Sequence, residues 1–236
     1  MRRLPTLNLS GRLRKTSKFY KAQKPFFRLG RWRNGCVFST AFVYCIFIEW
    51  ILASASPRRK ELFAEIIENF EIVPAKGEEK IVGTPTPDQL VIDLARQKAE
   101  EVSSLSIAAG KAVLGADTVV ALDGEILGKP KDEADAERML SALSGRTHEV
   151  YTGVCVLYPV RGGGRELRGG AVCTKVKFFP LTKAQIKAYV ATGSPMDKAG
   201  AYGIQDGGLV ESIEGSFSNV VGLPVEFCKE LIESLH

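Results

Sequence analysis

The sequence predicts an α/β domain, on three observations. Helical and strand patterns alternate along the chain from about residue 46 onward, as expected for a sheet covered by helices. Ser-Pro at 56–57 and Thr-Pro at 86–87 each combine a capping residue with proline, which is a helix start signal. An Asp-Gly pair at 123–124 lies between two apolar stretches, which is typical of a β-hairpin. Together these observations indicate an α/β fold.

The first half of the body is predicted to alternate strands and helices. A strand that ends at Ala53 is followed by a helix from Pro57 to about Asn69, and FEIVP at 70–74 is the next strand. The helix that starts at residue 87 has one continuous stripe, formed by Val91, Leu94, Ala95, Lys98 and Val102. Lys98 is therefore predicted on the apolar face of this helix. Residues 111–130 are predicted to form the hairpin.

The second half is predicted to contain three helices, two strands and a long loop. Asp132 caps a helix that Gly145 ends. THEVYTGVCVLYP and AVCTKVKFFP are predicted strands, and VRGGGRELRGG joins them as a hairpin loop, with RNA binding as the alternative interpretation. A helix at 183–191 precedes the Gly-rich loop SPMDKAGAYGIQDGG, and the last helix follows Pro224. Loops between ordered elements often carry function.

The positive charge is concentrated at the N-terminus. The net charge is +5, but the first 48 residues hold eleven Lys and Arg and no acid, so the remainder is mildly acidic. We divide the chain into a basic extension, residues 1–45, and a body, residues 46–236. The extension has the composition of an organelle transit peptide. The alternatives are a solvated tail, an arm that binds nucleic acid or an acidic membrane, and a wrongly extended gene model.

Neither a membrane span nor a disulfide framework is expected. The apolar run at 36–48 has 13 residues, fewer than the roughly 20 that a transmembrane helix needs. The five cysteines, an odd number without CxxC spacing, are Cys36, Cys45, Cys155, Cys173 and Cys228. They predict reduced, mostly buried thiols. We expect a cytoplasmic protein, or a mitochondrial or plastid one if residues 1–45 are a transit peptide.

The stretch ILASASPRRKELF, residues 51–63, predicts an anion site. It places a helix N-terminus, with its unpaired N–H groups, directly after a strand. Ser54 and Ser56 add hydroxyl donors, and Arg58 and Arg59 add guanidinium groups that suit phosphate oxygens. The alternative is a capped surface helix with two solvated arginines.

Other charged residues occur where the pattern predicts enclosure. Asp117 lies within VLGADTVVAL, and a carboxylate buried in such a strand needs a metal or a salt-bridge partner. Lys98 lies on an apolar helix face and Lys129 beside the hairpin, although a lysine can extend its ammonium to water. Glu78 and Glu79 follow a strand in a loop, where solvation is the simplest interpretation. Lys198 and Gln205 lie in the Gly-rich loop.

This set of charges suits a polyphosphate with a divalent cation, because oxygen ligands bind Mg²⁺ and the metal bridges phosphates. The sequence has no GxxxxGK[ST], GxGxxG or HExxH motif. His148 and His236 are its only histidines. A Ser-His-Asp arrangement would have to use His148, which lies in an alternating strand and is predicted to be structural.

From about Ile48 to Leu231 the chain resembles the Maf family of nucleoside triphosphate pyrophosphatases. Six blocks carry the resemblance: LASASPRRKELF, LARQKAEEV, GADTVV with GEILGKP, SGRTHEVYTGV, YVATGSPMDKAGAYGIQ and IEGSFSNVVGLP. The resemblance implies an elongated mixed β-sheet with flanking helices, two lobes around a central cleft, and often a homodimer. It also implies hydrolysis between the α and β phosphates, assisted by Mg²⁺ or Mn²⁺.

The resemblance further implies residue roles. Asp117 matches the proton acceptor, and Glu79 resembles a second acidic residue near the metal. The positions around the triphosphate match Ser54, Arg58, Arg59, Lys98 and Lys129. The positions linked to base choice in the branch that acts on dTTP and UTP match Arg58, Thr118 and Gln205. The carboxamide of Gln205 can both donate to and accept from a pyrimidine edge. The related branch that prefers 7-methyl-GTP differs at the SPRR and GADT blocks.

Three departures from the family pattern lie in or near the Gly-rich loop. Asp206 stands where the family commonly has Gly, Ser194 replaces a common Glu, and the loop from Asp206 to Leu209 is about two residues shorter. A carboxylate at position 206 would weaken triphosphate binding unless it faces away from the phosphates or reaches the metal. Base preference therefore depends on how this loop folds.

The expected role is removal of non-standard pyrimidine nucleotides before they enter RNA or DNA, a house-cleaning role. One alternative is the same reaction on 7-methyl-GTP or another modified nucleotide. The other is a nucleotide-binding regulator of cell division without turnover. Neither a stable nucleic-acid partner nor membrane association is expected.

Overall fold

The structure is a computed structural model that describes residues 48–160 and 162–235. The expectations for the extension at 1–45, for the start of the body at 46 and for Cys36 and Cys45 fall outside these residues. Among the described cysteines, Cys155 and Cys228 are buried and Cys173 is exposed, and all three are free thiols. The prediction of mostly buried thiols is thus confirmed for this part of the chain, and the reduced state stays a prediction.

Seven strands form one mixed sheet in the described part of the chain. They are β1 (Trp50–Leu52), β2 (Phe70–Ile72), β3 (Ala112–Leu122), β4 (Glu125–Leu127), β5 (Thr147–Pro159), β6 (Arg165–Phe178) and β7 (Val210–Glu214). The strand order is β2-β1-β3-β5-β6-β7, and β4 pairs with β3 alone. Strand β1 runs parallel to both of its neighbours, and the remaining pairs are antiparallel. The predicted mixed sheet is confirmed.

Helices flank this sheet. The α-helices in the described range are α1 (Pro57–Ala64), α2 (Pro87–Ser103), α3 (Glu133–Leu143), α4 (Lys183–Val190), α5 (Phe217–Val221) and α6 (Val225–Glu233). No helix within the described residues is both long and apolar enough to span a membrane. Both proline start signals are confirmed, since α1 and α2 begin at Pro57 and Pro87.

Helix α1 is shorter than predicted, because it ends at Ala64 and not near Asn69. The N–H groups of Ile66 and Ile67 both donate to the Phe63 carbonyl, which tightens the last turn. Phe63 is fully buried, and its ring lies 4.8 Å from the ring of Phe70 at the start of β2. The chain must therefore turn back here, and tertiary packing overrides the helical pattern.

Strand β6 also starts earlier than predicted. The predicted hairpin loop at 160–170 contains only 160–164, because residues from Arg165 onward pair with β5. Gly169 and Gly170 serve close packing in this strand: a Cβ at Gly170 would lie 2.8 Å from the ring of Phe227, and one at Gly169 would lie 2.5 Å from the Val154 carbonyl oxygen. These glycines indicate close packing and not flexibility.

The Gly-rich segment at 194–208 is more ordered than the predicted loop. It forms three short 3₁₀ turns, Ser194–Asp197, Ala199–Ala201 and Ile204–Asp206. The sequence also gave no prediction of α5, which Ser216 caps by accepting from the Asn219 N–H at 3.2 Å. Such short turns have no repeat of apolar residues that a pattern search can detect.

Close packing brings α2 onto the middle of the sheet. Gly115 on β3 and Gly153 on β5 lie beneath this helix, where a Cβ would collide with the carbonyl groups of Ala95 and Val91. The absence of these two side chains lets the helix approach the strands at backbone distance. As a result, the polar residues on α2 lie within reach of those on β3.

Candidate active site

A cleft with a volume of about 720 Å³ opens at the carboxyl end of β1. Two hydrophobic clusters lie on one face of the sheet, at different points along β3. Leu114 belongs to the cluster around Trp50, and Val120 belongs to the cluster around Leu140 and Phe178. All nine residues assigned to the predicted site line the cleft: Ser54, Arg58, Arg59, Glu79, Lys98, Asp117, Thr118, Lys129 and Gln205. The structure therefore brings together residues that are up to 151 positions apart in sequence.

The N-terminus of α1 forms one wall of this cleft. Ser56 is the N-cap, and its hydroxyl accepts from the Arg59 N–H at 3.4 Å. The Ser54 hydroxyl accepts from the Ser56 N–H at 3.3 Å. The remaining N–H groups of the first helical turn add partial positive charge on this side. The predicted geometry of an anion site is present.

Arg59 is held rigidly at this wall. Its Nε donates to the Gly222 carbonyl at 2.9 Å, and its Nη2 donates to the Thr118 hydroxyl at 3.0 Å. Within the described part of the chain, its contacts are to neutral groups and it forms no ion pair. Burial lowers the pKa of the Arg59 guanidinium, and the charge of Asp117 partly offsets this effect. Arg59 is thus a charged group whose neutralisation by its surroundings is incomplete.

Arg58 connects the two sides of the cleft. Its Nη1 lies 3.4 Å from Asp197 Oδ2 in the first 3₁₀ turn of the Gly-rich segment. The Arg58 side chain is 29% exposed and the Asp197 side chain is 65% exposed. A pair this accessible to water is weak, so the guanidinium is free to exchange Asp197 for another anion.

Lys98 joins two carboxylates on the opposite wall. Its ammonium contacts Asp117 Oδ1 and lies 2.8 Å from Glu79 Oε1. The Asp117 and Lys98 side chains are 13% and 19% exposed, whereas the Glu79 side chain is 48% exposed. The carboxylate inside the strand therefore has a salt-bridge partner, which was one of the two alternatives for Asp117. Glu79 was expected to be simply solvated, but its partly exposed side chain pairs with Lys98. Glu78 is exposed, as expected.

Two oxygen ligands are available for a divalent cation here. The described residues contain no group of three or more His, Cys, Asp and Glu side chains that could hold a metal ion. Asp117 and Glu79 nevertheless share one cation, the Lys98 ammonium. Mg²⁺ commonly binds through one or two carboxylates, waters and substrate phosphates. The donors present fit that pattern of binding.

Lys129 and Lys198 differ in their surroundings. Lys129 was predicted to be enclosed, but it is exposed at the rim of the cleft because it lies in the turn that follows β4. Lys198 is 12% exposed and donates to the Ser194 hydroxyl at 3.0 Å and to Asp197 at 2.8 Å. Lys129 is thus the lysine that a ligand can reach without breaking an ion pair seen among the described residues.

The three candidates for base choice occupy different environments. Thr118 is fixed, since its hydroxyl lies 2.9 Å from the Thr152 hydroxyl and accepts from Arg59. Arg58 is half-buried. Gln205 is exposed in the last 3₁₀ turn, and its carboxamide makes no hydrogen bond to a described residue. Its donor and acceptor groups are therefore available to a ligand in the cleft.

Asp206 is not among the residues that line the cleft. Its Oδ2 accepts from the Tyr189 hydroxyl at 2.5 Å and from the Ser194 hydroxyl at 2.7 Å. Asp206 and Ser194 are two of the three positions at which the sequence departs from the family pattern, and the structure shows that they contact each other. A carboxylate at position 206 was expected to weaken triphosphate binding unless it faced away from the phosphates or reached the metal. The contacts of Asp206 with Tyr189 and Ser194 agree with the first of these conditions.

Asn219 was missed by the sequence analysis. It is fully buried, and its Nδ2 donates to the Val150 carbonyl and to the Thr174 hydroxyl, both at 3.0 Å. The carbonyl of Asn219 accepts from the Thr152 hydroxyl at 2.9 Å. These bonds fix α5 on the sheet and thereby position the Gly222 carbonyl that holds Arg59. The available signal was an amide directly before the apolar run VVGLP.

His148 is structural, as predicted. It is 1% exposed, lies outside the cleft lining, and its Nε2 is 2.7 Å from the Tyr202 hydroxyl. Burial lowers the pKa of His148 to about 4. A Ser-His-Asp arrangement that uses His148 at the cleft is therefore excluded.

The family model described as Maf-like protein matches residues 49–235. The chain belongs to the Maf family. Among its Maf relatives, the dTTP/UTP pyrophosphatase of Thermococcus gammatolerans is 50% identical over 185 residues, covering 78% of this chain and 95% of that protein. The dTTP/UTP pyrophosphatase of Geotalea uraniireducens is 52% identical over 177 residues, covering 74% and 89%. A solved HAM1 protein from Coxiella burnetii is 15% identical, with a TM-score of 0.37 over 55% of this chain and 73% of that one.

Proposed function

We propose that this Maf protein is a nucleoside triphosphate pyrophosphatase that hydrolyses dTTP and UTP to the monophosphate and pyrophosphate. The observation that carries the proposal is the Arg59 guanidinium, which is anchored at a helix N-terminus without an ion pair to any described carboxylate. A partly buried cation of this kind requires an anion to complete its environment. Relatives that are about half identical and are named dTTP/UTP pyrophosphatases support the identity of that anion.

The triphosphate would lie along the α1 wall. Arg58 and Arg59 offer planar donors for phosphate oxygens, and the Ser54 hydroxyl and helix N–H groups add neutral donors. Lys129 would reach the phosphates from the rim. Positive groups fixed in this way would stabilise the charge that develops on the departing pyrophosphate.

Asp117 would orient and deprotonate the attacking water on the opposite wall. Its carboxylate is held by Lys98, so its direction is set before the substrate arrives. Glu79 and Asp117 would hold Mg²⁺ or Mn²⁺, and the metal would supply positive charge and a more acidic water. Lys98 would then release Glu79 and keep the contact that orients Asp117.

Base choice would depend on Arg58, Thr118 and Gln205. The exposed carboxamide of Gln205 can pair with the O4 and N3–H edge that uracil and thymine share, whereas cytosine presents the opposite pattern at those atoms. A carboxamide that is held in one orientation rejects the wrong base because its own polar groups are left unpaired, whereas one that can turn over would accept either base. Selectivity would therefore require the bound site to hold the Gln205 carboxamide in one orientation. Thr118 would contribute through its fixed contact with Arg59.

The remaining expectations stay predictions. These are a homodimer, a cytoplasmic location and a house-cleaning role in the nucleotide pool.

A nucleotide panel tests the proposed function. The purified full chain is incubated with Mg²⁺ and each of dTTP, UTP, CTP, dGTP, ATP and 7-methyl-GTP, and the products are separated by ion-exchange chromatography. We expect the highest kcat/KM with dTTP and UTP, and pyrophosphate with no orthophosphate as the product. A preference for 7-methyl-GTP would contradict the substrate, and orthophosphate would contradict the bond cleaved. Tight binding without any product would favour the regulator.

A further inference from the structure

The turn that carries Gln205 is fixed at both ends to one side chain of helix α4. The Gly203 N–H donates to the Tyr189 hydroxyl oxygen at 3.0 Å, and the Tyr189 hydroxyl donates to Asp206 Oδ2 at 2.5 Å. Ser194 adds a second donor to the same Asp206 oxygen at 2.7 Å. Gln205 immediately precedes Asp206, so the backbone of the residue in the cleft lies between two fixed points.

The turn also has one backbone hydrogen bond of its own, from the Asp206 N–H to the Gly203 carbonyl at 3.1 Å. On its C-terminal side, Gly207 and Gly208 both have a positive φ, and a Cβ at either position would meet no atom within 4 Å. On its N-terminal side, a Cβ at Gly203 would lie 3.0 Å from Asp206 Oδ2, so the carboxylate folds back over the turn. The turn is closed by Asp206, and two open glycines follow it.

The protonation states of Asp206 and Tyr189 strengthen the hydrogen bond that closes the turn. Burial would raise the pKa of the Asp206 carboxyl, but the hydrogen bonds from Tyr189 and Ser194, together with the charges of Lys198 and Arg58, outweigh this and lower it. Burial and the neighbouring carboxylate raise the pKa of the Tyr189 hydroxyl. The pair is therefore an ionised acceptor and a protonated donor at neutral pH. Hydrogen bonds to an ionised acceptor are short and about twice as strong as neutral ones.

We propose that Asp206 is a positioning residue that, together with Tyr189, sets the position of Gln205 and thereby the selectivity for uracil and thymine over cytosine. The inference rests on the proposed pyrimidine triphosphate substrate. Asp206 would not contact the base, because it does not line the cleft and its carboxylate is hydrogen-bonded to Tyr189 on α4 and to Ser194. It acts by fixing the backbone from which the Gln205 carboxamide extends.

The test is a double-mutant cycle on base selectivity, the ratio of kcat/KM for UTP to that for CTP. Asp206→Ala and Tyr189→Phe are each expected to lower this ratio about tenfold, mainly through a higher KM for UTP, with kcat changed less than about threefold. In a Gln205→Ala background, Asp206→Ala is expected to change the ratio no further, because coupled residues are not additive. Asp206→Asn keeps an acceptor oxygen and should restore most of the ratio.

The matched control is Glu230→Gln, which removes a carboxylate from an exposed position on α6 outside the cleft lining. It should leave both substrates unchanged. The inference is overturned if Asp206→Ala lowers kcat/KM for UTP and CTP equally, or if its effect on the ratio persists in full without the Gln205 carboxamide. Either result would mean a general structural role.

A binding measurement separates this inference from the proposed function. If the wild-type chain hydrolyses no triphosphate, the proposed reaction is wrong, but the cycle can be repeated on the Kd of α,β-imido-UTP and α,β-imido-CTP. The same loss of the Kd ratio on Asp206→Ala, absent in the Gln205→Ala background, supports the positioning role. Equal Kd values for the two analogues in the wild type overturn it.

Discussion

The ammonium of Lys98 contacts the carboxylate of Asp117 across the interface between α2 and β3. Two glycines make this contact possible, because Gly115 and Gly153 let the helix backbone approach the strands. A longer separation would leave a carboxylate inside a strand without a partner, at a cost of several kcal/mol. The residues proposed for catalysis are therefore positioned by the packing of apolar and small residues around them.

Asp117→Asn should lower the rate of pyrophosphate release by about 10²–10⁴-fold, because the amide keeps the shape but accepts no proton. The fold should persist, since Lys98 retains its contact with Glu79. Initial rates with UTP measure the first effect, and thermal unfolding followed by circular dichroism measures the second. Glu78→Gln, a neutralised carboxylate in the exposed loop, is the control. Activity within threefold of the wild type would remove Asp117 from the mechanism.

Arg59→Met should leave the free energy of unfolding of the nucleotide-free protein almost unchanged but remove most of the stabilisation by bound nucleotide. Without nucleotide, the free energy of unfolding should change by no more than about 1 kcal/mol, because the lost hydrogen bonds are offset by removal of a poorly neutralised charge. The wild type should gain about 2.7 kcal/mol at a concentration of α,β-imido-UTP 100 times its Kd. We expect Arg59→Met to lose most of that gain at the same concentration.

Lys60→Met is the matched control for this experiment, because Lys60 is exposed on the same helix and does not line the cleft. It should keep the full stabilisation by the nucleotide analogue. Urea unfolding curves with and without the analogue provide both values. An equal gain in Arg59→Met and the wild type would show that Arg59 does not bind the phosphates.

Local signals were sufficient to predict where elements begin. Pro57 and Pro87 start helices, Asp132 caps α3, and Asp123 with Gly124 forms the hairpin turn, because each depends on the conformational preference of one or two residues. The end of α1 was not predictable in this way. It is set by the contact between Phe63 and Phe70, which depends on the path of the chain between them.

The site was predictable as a set of residues but not as an arrangement. Asp117 and Lys98 were identifiable because a charged residue in an apolar pattern requires a partner. The structure shows that these two residues pair with each other. The direction of the Asp206 carboxylate was not predictable from the sequence. It depends on Tyr189, which is on another element and carries no charge at neutral pH. Lys129 was wrongly expected to be enclosed, since an apolar sequence neighbourhood does not determine the exposure of a turn.

Gly153→Ala should destabilise the fold and impair the site together. The new methyl group would collide with the Val91 carbonyl of α2, and overpacking of this kind costs up to about 3 kcal/mol. The helix would have to move away from the sheet, which separates Lys98 from Asp117. Urea unfolding and initial rates with UTP measure the two effects.

Gly128→Ala is the control for that substitution, because a Cβ at Gly128 would meet no atom within 4 Å and its φ is not positive. It should change the free energy of unfolding by less than about 1 kcal/mol. If Gly153→Ala is as stable as Gly128→Ala and as active as the wild type, the close approach of α2 is not required for the site.

His148 should make the fold sensitive to mild acid. Its ring is buried against Phe178 and Tyr202, with ring centroids at 4.9 and 5.3 Å, and burial lowers its pKa from 6.5 to about 4. Between these two pH values the unfolded chain binds a proton at His148 that the folded chain does not. The stabilising contribution is therefore complete above pH 6.5 and is lost as the pH falls toward 4.

The size of the effect follows from the two pKa values. The loss attributable to His148 is about 2 kcal/mol between pH 7.5 and pH 5, and about 3 kcal/mol when the pH is well below 4. His148→Gln keeps a polar side chain near the Tyr202 hydroxyl but does not titrate, so its free energy of unfolding should fall less over the same interval. Urea unfolding of both proteins at pH 7.5 and pH 5 gives the difference, in which the shared titration of carboxylates cancels. Equal losses in the two proteins would show that His148 takes up its proton in the folded state as readily as in the unfolded chain, which its burial argues against.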